Sequence, residues 1–469
     1  MTEQLLDKSP HSLIDDVGIV YLGDTKVFRA INEEHIGEVR KLLHSGLLDQ
    51  LVSAKLFPMT VESSLRIPGY SMVLEHEKVS PLIYPYEWSP EMLRRAGLCV
   101  LEINKIANEF GYQLKDAHPY NIMFKYGSPL FVDFGSFISH KSSSGWTAYK
   151  EFLACYYYPL KLYSQGFRFV FRHLFLLSGR SLPLSELVSI AHPSLRIIPQ
   201  KYLEKVIQLW IVYKNFSQIQ DDQIFLKIHS KYWRNVASFV KNNERLPFKK
   251  INLVKLKDRL NSLNFGITTQ WGDYQQRSGF YSSTGIPSLS SRFMRVLEII
   301  AELKPRTVLE LAGNQGILSR QIAKLPYVHQ IVCSDYDESA IDKLLQLSQQ
   351  DERVTPAVFN LIGDSFQEGY ALRCVRLKSE LVIALAVIHH LILTQGYSID
   401  IIIEKVLEFS SRYIILEFMP LGLWDGQSAP ALPCWYTEQW FEDNLRKHCN
   451  LLRKEKIEEN RILYLAELG

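Results

Sequence analysis

The run Thr307-Val-Leu-Glu-Leu-Ala-Gly-Asn-Gln-Gly316, followed by Ile331-Val-Cys-Ser-Asp335, narrows the folds open to this chain more than any other segment. The apolar residues around Glu310 read as a short buried parallel strand that ends in an acid. Gly313 and Gly316 then make a tight turn, and Ile317 to Leu325 reads as a helix. A second short strand ends in another acid, Asp335. Strand, turn, helix and strand in this order build a nucleoside-binding crevice at the carboxyl edge of a doubly wound sheet. Glycine lets backbone approach a ligand closely, and an acid after the second strand accepts hydrogen bonds from ribose hydroxyls.

The spacing selects among nucleosides. A dinucleotide site wants G-x-G-x-x-G and seats a pyrophosphate on the helix N-terminus. Here Leu311 and Ala312 follow Glu310, and only Gly313 and Gly316 remain. An acid at the strand end repels a pyrophosphate but suits the cationic methionine end of S-adenosylmethionine (SAM). The segment resembles motif I of class I SAM-dependent methyltransferases, D/E-x-G-x-G-x-G, from which Ala312 and Asn314 depart. Glu380 to Leu391 reads as a fourth buried strand leading into a helix, too short to span a membrane. Ser411 to Glu417 reads as strand five. Leu451 to Lys456 and Arg461 to Glu467 flank a Glu-Glu-Asn turn signal and read as a terminal antiparallel hairpin. The expected fold class is α/β, a Rossmann-like methyltransferase domain with a mostly parallel seven-stranded sheet.

A second constellation lies in the N-terminal third. Asp116-Ala-His-Pro-Tyr-Asn121 followed by Asp133-Phe-Gly135 resembles the catalytic core of protein-kinase-like phosphotransferases, D-x-x-x-x-N and then D-F-G. The resemblance implies Asp116 as catalytic base, with Asn121 and Asp133 as metal ligands if Mg-ATP binds. No glycine-rich phosphate loop precedes it. Arg29 stands where the strand lysine is expected, with Glu33, Glu34 and Glu38 as candidate partners. Two readings stay open here, an active lobe and a degenerate kinase-like α+β domain kept for binding or packing.

Together, Lys115 to Asn121, Phe131 to Asp133, Trp146 to Tyr149, Ala384 to His390 and Leu416 to Pro420 resemble one bacterial family. Its members are nodulation-protein-like class I SAM-dependent methyltransferases often found with surface-glycan biosynthesis. They usually read L-G-C-N-T-G where this chain has Leu311 to Gly316, and they carry an acid near Asn360. The resemblance implies a cofactor set of Glu310, Ala312, Gly313, Asn314, Gly316, Asp335 and Tyr336, with Asn360 or Asp364 at the adenine edge. His389, His390 and Glu417 are the candidate catalytic groups, histidine being suited to accept a proton from a hydroxyl acceptor. Each has a plainer reading: one of two adjacent histidines is structural, and Glu417 caps a helix or pairs with an arginine. Trp271, Tyr274 and Tyr281 form either a lid over the cofactor or ordinary packing, and Asp337 caps the next helix.

The expected domains are a kinase-like region over 1–145, a helical continuation over 146–250 and the methyltransferase domain over 251–469. The polar stretch Lys241 to Lys250 suits a linker. A net charge of +3 over 469 residues gives no electrostatic case for nucleic acid. Six scattered cysteines without a C-x-x-C pair, and no signal-like N-terminus, lead us to expect a cytoplasmic protein. No membrane span is expected. The acceptor expected from the resemblance is a sugar, a surface-glycan precursor or another small polar molecule. A bifunctional kinase–methyltransferase and a non-enzymatic SAM- or nucleotide-binding scaffold are the alternatives.

Overall fold

The structure is a computed structural model, and it describes residues 6–9, 15–140, 145–168, 171–172, 252–266, 269, 271–272, 274–277, 289–348, 353–366, 370–424 and 426–469. Most of the expected helical region over 146–250, the linker at Lys241 to Lys250 and Tyr281 lie outside these residues. The chain divides into two compact units. Unit 1 comprises 1–78, 93–122 and 130–265, and unit 2 comprises 79–92, 123–129 and 266–469.

In unit 1, five strands form an antiparallel sheet in the order β1-β2-β3-β5-β4. They are β1 (Asp7–Lys8), β2 (Gly18–Leu22), β3 (Lys26–Ile31), β4 (Thr60–Glu62) and β5 (Met72–Glu77). Phe28, Ala30 and Val73 bury one face of β3 and β5 together with Ile67. Between β3 and β4 runs the helix Ile36–Leu43, whose Val39 and Leu42 are buried while Glu38 and Lys41 pair on its exposed side.

Unit 2 is built on a seven-stranded sheet. Its strands are β6 (Thr307–Leu311), β7 (Gln330–Asp335), β8 (Val354–Val358), β9 (Ser379–Ala384), β10 (Ser410–Phe418), β11 (Asn450–Glu458) and β12 (Arg461–Glu467). They lie in the order β8-β7-β6-β9-β10-β12-β11. The first five run parallel, and β12 inserts antiparallel between β10 and β11. The central strands read as continuous apolar runs because helices cover parallel sheets on both faces. Val308, Leu309, Ile331, Val332, Leu381, Val382 and Ile383 are accordingly all buried.

The helices start where short polar side chains satisfy the first free backbone N–H groups. Ser290 caps α1 (Ser291–Leu303), and Asp337 caps α3 (Glu338–Leu347), accepting from Ser339 and Ala340. Between them α2 (Ile317–Ile322) follows the glycine turn directly. After α4 (Tyr370–Arg376) and α5 (Ile388–Leu393), Ser398 caps α6 (Ile399–Glu408) and Thr437 caps α7 (Glu438–His448).

The two outer strands differ in chemistry. Strand β8 carries Pro356 opposite Cys333 of β7. Strand β11 carries Arg453, Lys454 and Glu455, which pair with Glu302 and Arg295 of α1 and with Glu438 and Glu442 of α7. The turn between β11 and β12 is itself tied down: Asn460 accepts from the Leu421 N–H at 2.6 Å.

Candidate functional site

The strand order reverses at β6, which has β7 on one side and β9 on the other. The crevice beyond the carboxyl ends of such strands is where doubly wound sheets hold ligands. Three chain segments meet there: the turn after β6, the end of β7 and the start of α5.

The turn after β6 keeps a glycine-like path without glycine at two positions. Ala312 and Asn314 both stand at φ 53°, in the left-handed region, and Gly316 at 68°. Gly313 is required for another reason. A Cβ there would lie 2.5 Å from Cys333 Sγ and 2.8 Å from Glu310 Cδ. The exchange of alanine and glycine at 312 and 313 thus leaves the close approach intact and moves backbone strain onto Ala312. Ala312→Gly should relieve that strain. The expected gain is up to about 1 kcal/mol, seen as a rise in Tm of roughly 2–4 °C in thermal unfolding. A fall in Tm would show that the left-handed geometry at 312 is not a cost.

Two buried carboxylates flank the turn. Glu310 faces α2, where its Oε2 accepts from the Ser319 backbone N–H at 3.0 Å and from the Ser319 hydroxyl. Asp335 accepts from the Asn314 N–H at 3.0 Å and the Asp337 N–H at 2.9 Å. Burial pushes both acids up to about 7, against the pull of these hydrogen bonds. Next to Asp335, Tyr336 is exposed. Beyond β8, the Asn360 side-chain oxygen accepts from the Ile362 and Gly363 N–H groups, so it serves the local turn. Asp364 accepts from the Asn360 N–H at 3.1 Å and from Arg373 at 3.0 Å.

A segment ahead of the sheet lies across the turn. The Asn314 amide donates to the Trp271 carbonyl at 2.8 Å, and the Gln315 amide donates to the Gly272 carbonyl at 2.6 Å. In return, the Gln275 amide donates to the Gly313 carbonyl at 3.4 Å. Each amide nitrogen meets a carbonyl oxygen, which orients the group. The side-chain oxygens of Asn314, Gln315 and Gln275 are all buried without a hydrogen-bond partner. Such acceptors are costly unless a donor arrives.

Trp271 also reaches the other side of the crevice, with its ring 5.1 Å from that of His390 and edge-on to it. His389 is buried behind His390, ring to ring at 4.1 Å, and its Nδ1 has no partner. Burial lowers His389 to about 3, helped by His390 and Arg461, and burial also lowers His390. Both rings are therefore neutral near pH 7. Glu417 is fully buried and held by Arg292 at 3.1 Å and Arg461 at 2.8 Å.

Unit 1 brings Asp116, Asn121 and Asp133 together. The Asn121 amide donates to Asp116, and Asp133 accepts from the Gly135 N–H at 3.0 Å. Asp116 is raised to about 6 by burial and by the nearby acids Asp133 and Glu151. The buried Arg29 pairs with Asp15 and, at 3.6 Å, with Asp133. This differs from the expected glutamate partner, because Glu38 faces outward and is paired with Lys41. Among the described residues, no group of three or more His, Cys, Asp or Glu side chains is arranged to hold a metal.

Sequence reasoning passed over Gln275, Gln315, Arg292 and Arg461. Gln275 lies 38 residues ahead of Gly313, and Gln315 is an uncharged amide at an unspecified position of the turn, so neither carries a motif. The partners of Glu417 lie 125 and 44 residues away from it.

Unit 2 is thus an α/β unit on an open, mostly parallel seven-stranded sheet with its switch point at β6. The chain is homologous to the nodulation protein NoeA of Rhizobium meliloti (strain 1021), 26% identical over 361 residues, which span 74% of this chain and 71% of that one. The N-methyltransferase NodS of Bradyrhizobium japonicum WM9, solved with S-adenosyl-L-homocysteine, matches at 12% identity and a TM-score of 0.31, over 43% of this chain and 100% of NodS. A SAM-dependent methyltransferase of Clostridium acetobutylicum ATCC 824 matches at 14% identity and a TM-score of 0.31, over 42% of this chain and 96% of that one. No protein-family model matches. Among the described residues, no helix is long and apolar enough to cross a membrane.

Proposed function

We propose that unit 2 is a SAM-dependent methyltransferase that methylates a hydroxyl of a sugar, a surface-glycan precursor or another small polar acceptor. The observation that carries this reading is Trp271. Its carbonyl receives Asn314 of the glycine turn while its ring packs on His390, so one residue spans from the cofactor side of the crevice to the acceptor side.

The residues fit SAM chemically. Three buried amide oxygens without donors suit the methionine ammonium, and the buried acids Glu310 and Asp335 suit a cationic ligand with ribose hydroxyls. In their ionised forms these two acids would repel a pyrophosphate. Bound SAM supplies an electrophilic methyl on a sulfonium, and the protein's part is alignment. In this reading Asp335 holds the ribose and Tyr336 covers the adenine face. Asp364 reaches the adenine edge, because the side-chain oxygen of Asn360 is used within its own turn. His390, neutral and half-buried, takes the acceptor's proton. His389 packs against it and lies within the field of Arg461, one of the two arginines on Glu417.

The test is transfer of labelled methyl from SAM to a panel of glycans and lipid-linked glycan precursors, beside calorimetry with SAM. Absence of SAM binding would sink this reading, and binding without transfer to any acceptor would favour the scaffold alternative. His390→Ala is expected to lower kcat by about 100-fold or more with SAM affinity kept. Unchanged turnover would make His390 structural.

The acids predict a pH dependence. With Glu310 and Asp335 near 7 in the free protein, a cationic ligand favours their charged forms, so affinity is full above pH 7 and is lost as pH falls. The expected loss is up to about tenfold per unit for each group that must ionise. The effect on stability has the opposite sense. Both folded pKa values lie above their unfolded ones, so stability falls as pH rises from about 4 to 7. Calorimetry and thermal unfolding between pH 5.5 and 8.5 (about three units in all) would separate the two trends, and flat affinity would refute the assignment.

For unit 1 the phosphotransferase alternative rests on Asp116, Asn121 and Asp133. The Arg29–Asp133 pair supplies a cation where a metal would stand, which favours a degenerate site. Titration with Mg-ATP, wild type against Asp133→Ala, decides between them.

A further inference from the structure

Residues 79–92 are part of unit 2 although they come far ahead of its sheet in the chain. They contain the short turn Pro85–Glu87, closed by the Tyr84 N–H donating to Glu87 at 2.8 Å. Glu87 is fully buried, and its Oε1 accepts from Arg373 Nε at 2.7 Å and from Arg376 Nη2 at 2.7 Å. Both arginines project from α4. Arg376 also donates to the Leu82 carbonyl and to the Tyr86 hydroxyl. Arg373 lies 4.9 Å over the Phe359 ring and donates through Nη1 to Asp364 at 3.0 Å.

We propose that Glu87 and Arg373 are positioning residues that set the nucleobase preference of the cofactor site by orienting Asp364. The inference rests on the reading of Asp364 as the residue at the adenine edge. A guanidinium is planar and its donors are fixed in a fork. With Nε held by Glu87 and one face held by Phe359, Nη1 of Arg373 can point in only one direction. Asp364 is bound to that direction and to the Asn360 N–H through the same oxygen, Oδ2. A carboxylate so fixed accepts from an exocyclic amino group and opposes a carbonyl oxygen at the same place. Recognition of the base thereby depends on Glu87, well outside the 251–469 segment that carries the sheet.

The experiment compares binding of S-adenosylhomocysteine and S-inosylhomocysteine, whose base carries a carbonyl oxygen where adenine carries its amino group, to the full chain. The wild type should prefer the adenine compound by about tenfold or more, the value of one hydrogen bond to a charged acceptor. Arg373→Lys keeps the charge but loses the fork, and should bring the ratio close to one. Glu87→Gln should shift it the same way. Arg376→Lys touches Glu87 but not Asp364, so it should lower Tm and leave the ratio unchanged. If Arg373→Lys weakens both compounds equally and keeps the ratio, the cluster is only structural and the proposal fails. A wild type that binds both equally also overturns it, whereas a wild type that binds neither overturns the methyltransferase reading itself.

Discussion

Asp335→Ala is expected to weaken S-adenosylhomocysteine binding by about a hundredfold or more while leaving unit 2 folded. The carboxylate is buried at the end of β7, and two backbone N–H groups fix its orientation. In the proposed complex it accepts from ribose hydroxyls, and hydrogen bonds to a charged group are each worth about 1.5–3 kcal/mol. Two such bonds exceed the 2.8 kcal/mol or so that a hundredfold change requires. The substitution also strips the Asn314 and Asp337 N–H groups of their acceptor, at about 1–3 kcal/mol each. Removing a carboxylate that burial disfavours offsets part of that loss. Asp335→Asn retains one acceptor oxygen and should fall between alanine and wild type. Calorimetry on samples checked by circular dichroism decides the matter, and a change in Kd below about threefold would mean that the ribose lies elsewhere.

Gly313→Ala should be the most damaging single methyl in the site. Its Cβ would meet Cys333 Sγ and the Glu310 carboxyl carbon, and both side chains come from central strands that cannot retreat. Overpacking of this kind costs about 1–3 kcal/mol. For a unit of this size it corresponds to a Tm lower by roughly 3–10 °C. Because the displaced turn carries the Asn314 N–H and the Gly313 carbonyl, cofactor affinity should fall as well, by about tenfold or more. The double variant Gly313→Ala/Cys333→Ala opens the space taken by the sulfur and should recover part of the lost stability. No recovery would show that the contact with the Glu310 carboxyl carbon, and not the sulfur, sets the cost.

Much of unit 2 was legible in the chain, for a physical reason. Strands β6, β7, β9 and β10 each carry a short apolar run, Val308-Leu309, Ile331-Val-Cys333, Leu381 to Ala384 and Ile414 to Leu416, and a parallel sheet covered on both faces produces that pattern. The terminal hairpin was legible because Glu459 and Asn460 punctuate it. Strand β8 was not, since Pro356 at its centre reads as a break. An outer strand tolerates proline because one side needs no hydrogen-bonded partner. Within the site, the acids and glycines could be read from spacing, whereas Gln275 and Gln315 could not. Their role arises only when the Trp271–Gln275 segment is laid over the turn. Likewise, Glu417 stands out in the sequence by its position at the end of a strand, but its two arginines could be found only in three dimensions.

An open sheet has two rims, and each presents unpaired backbone to any passing strand. In this chain one rim is interrupted by a proline, and the other is studded with lysine, arginine and glutamate already engaged by α1 and α7. Neither rim makes a good template for another strand. The outer strands therefore protect the domain against edge-to-edge aggregation, and substitutions such as Pro356→Val or Lys454→Val would be the ones to erode that resistance without touching the crevice.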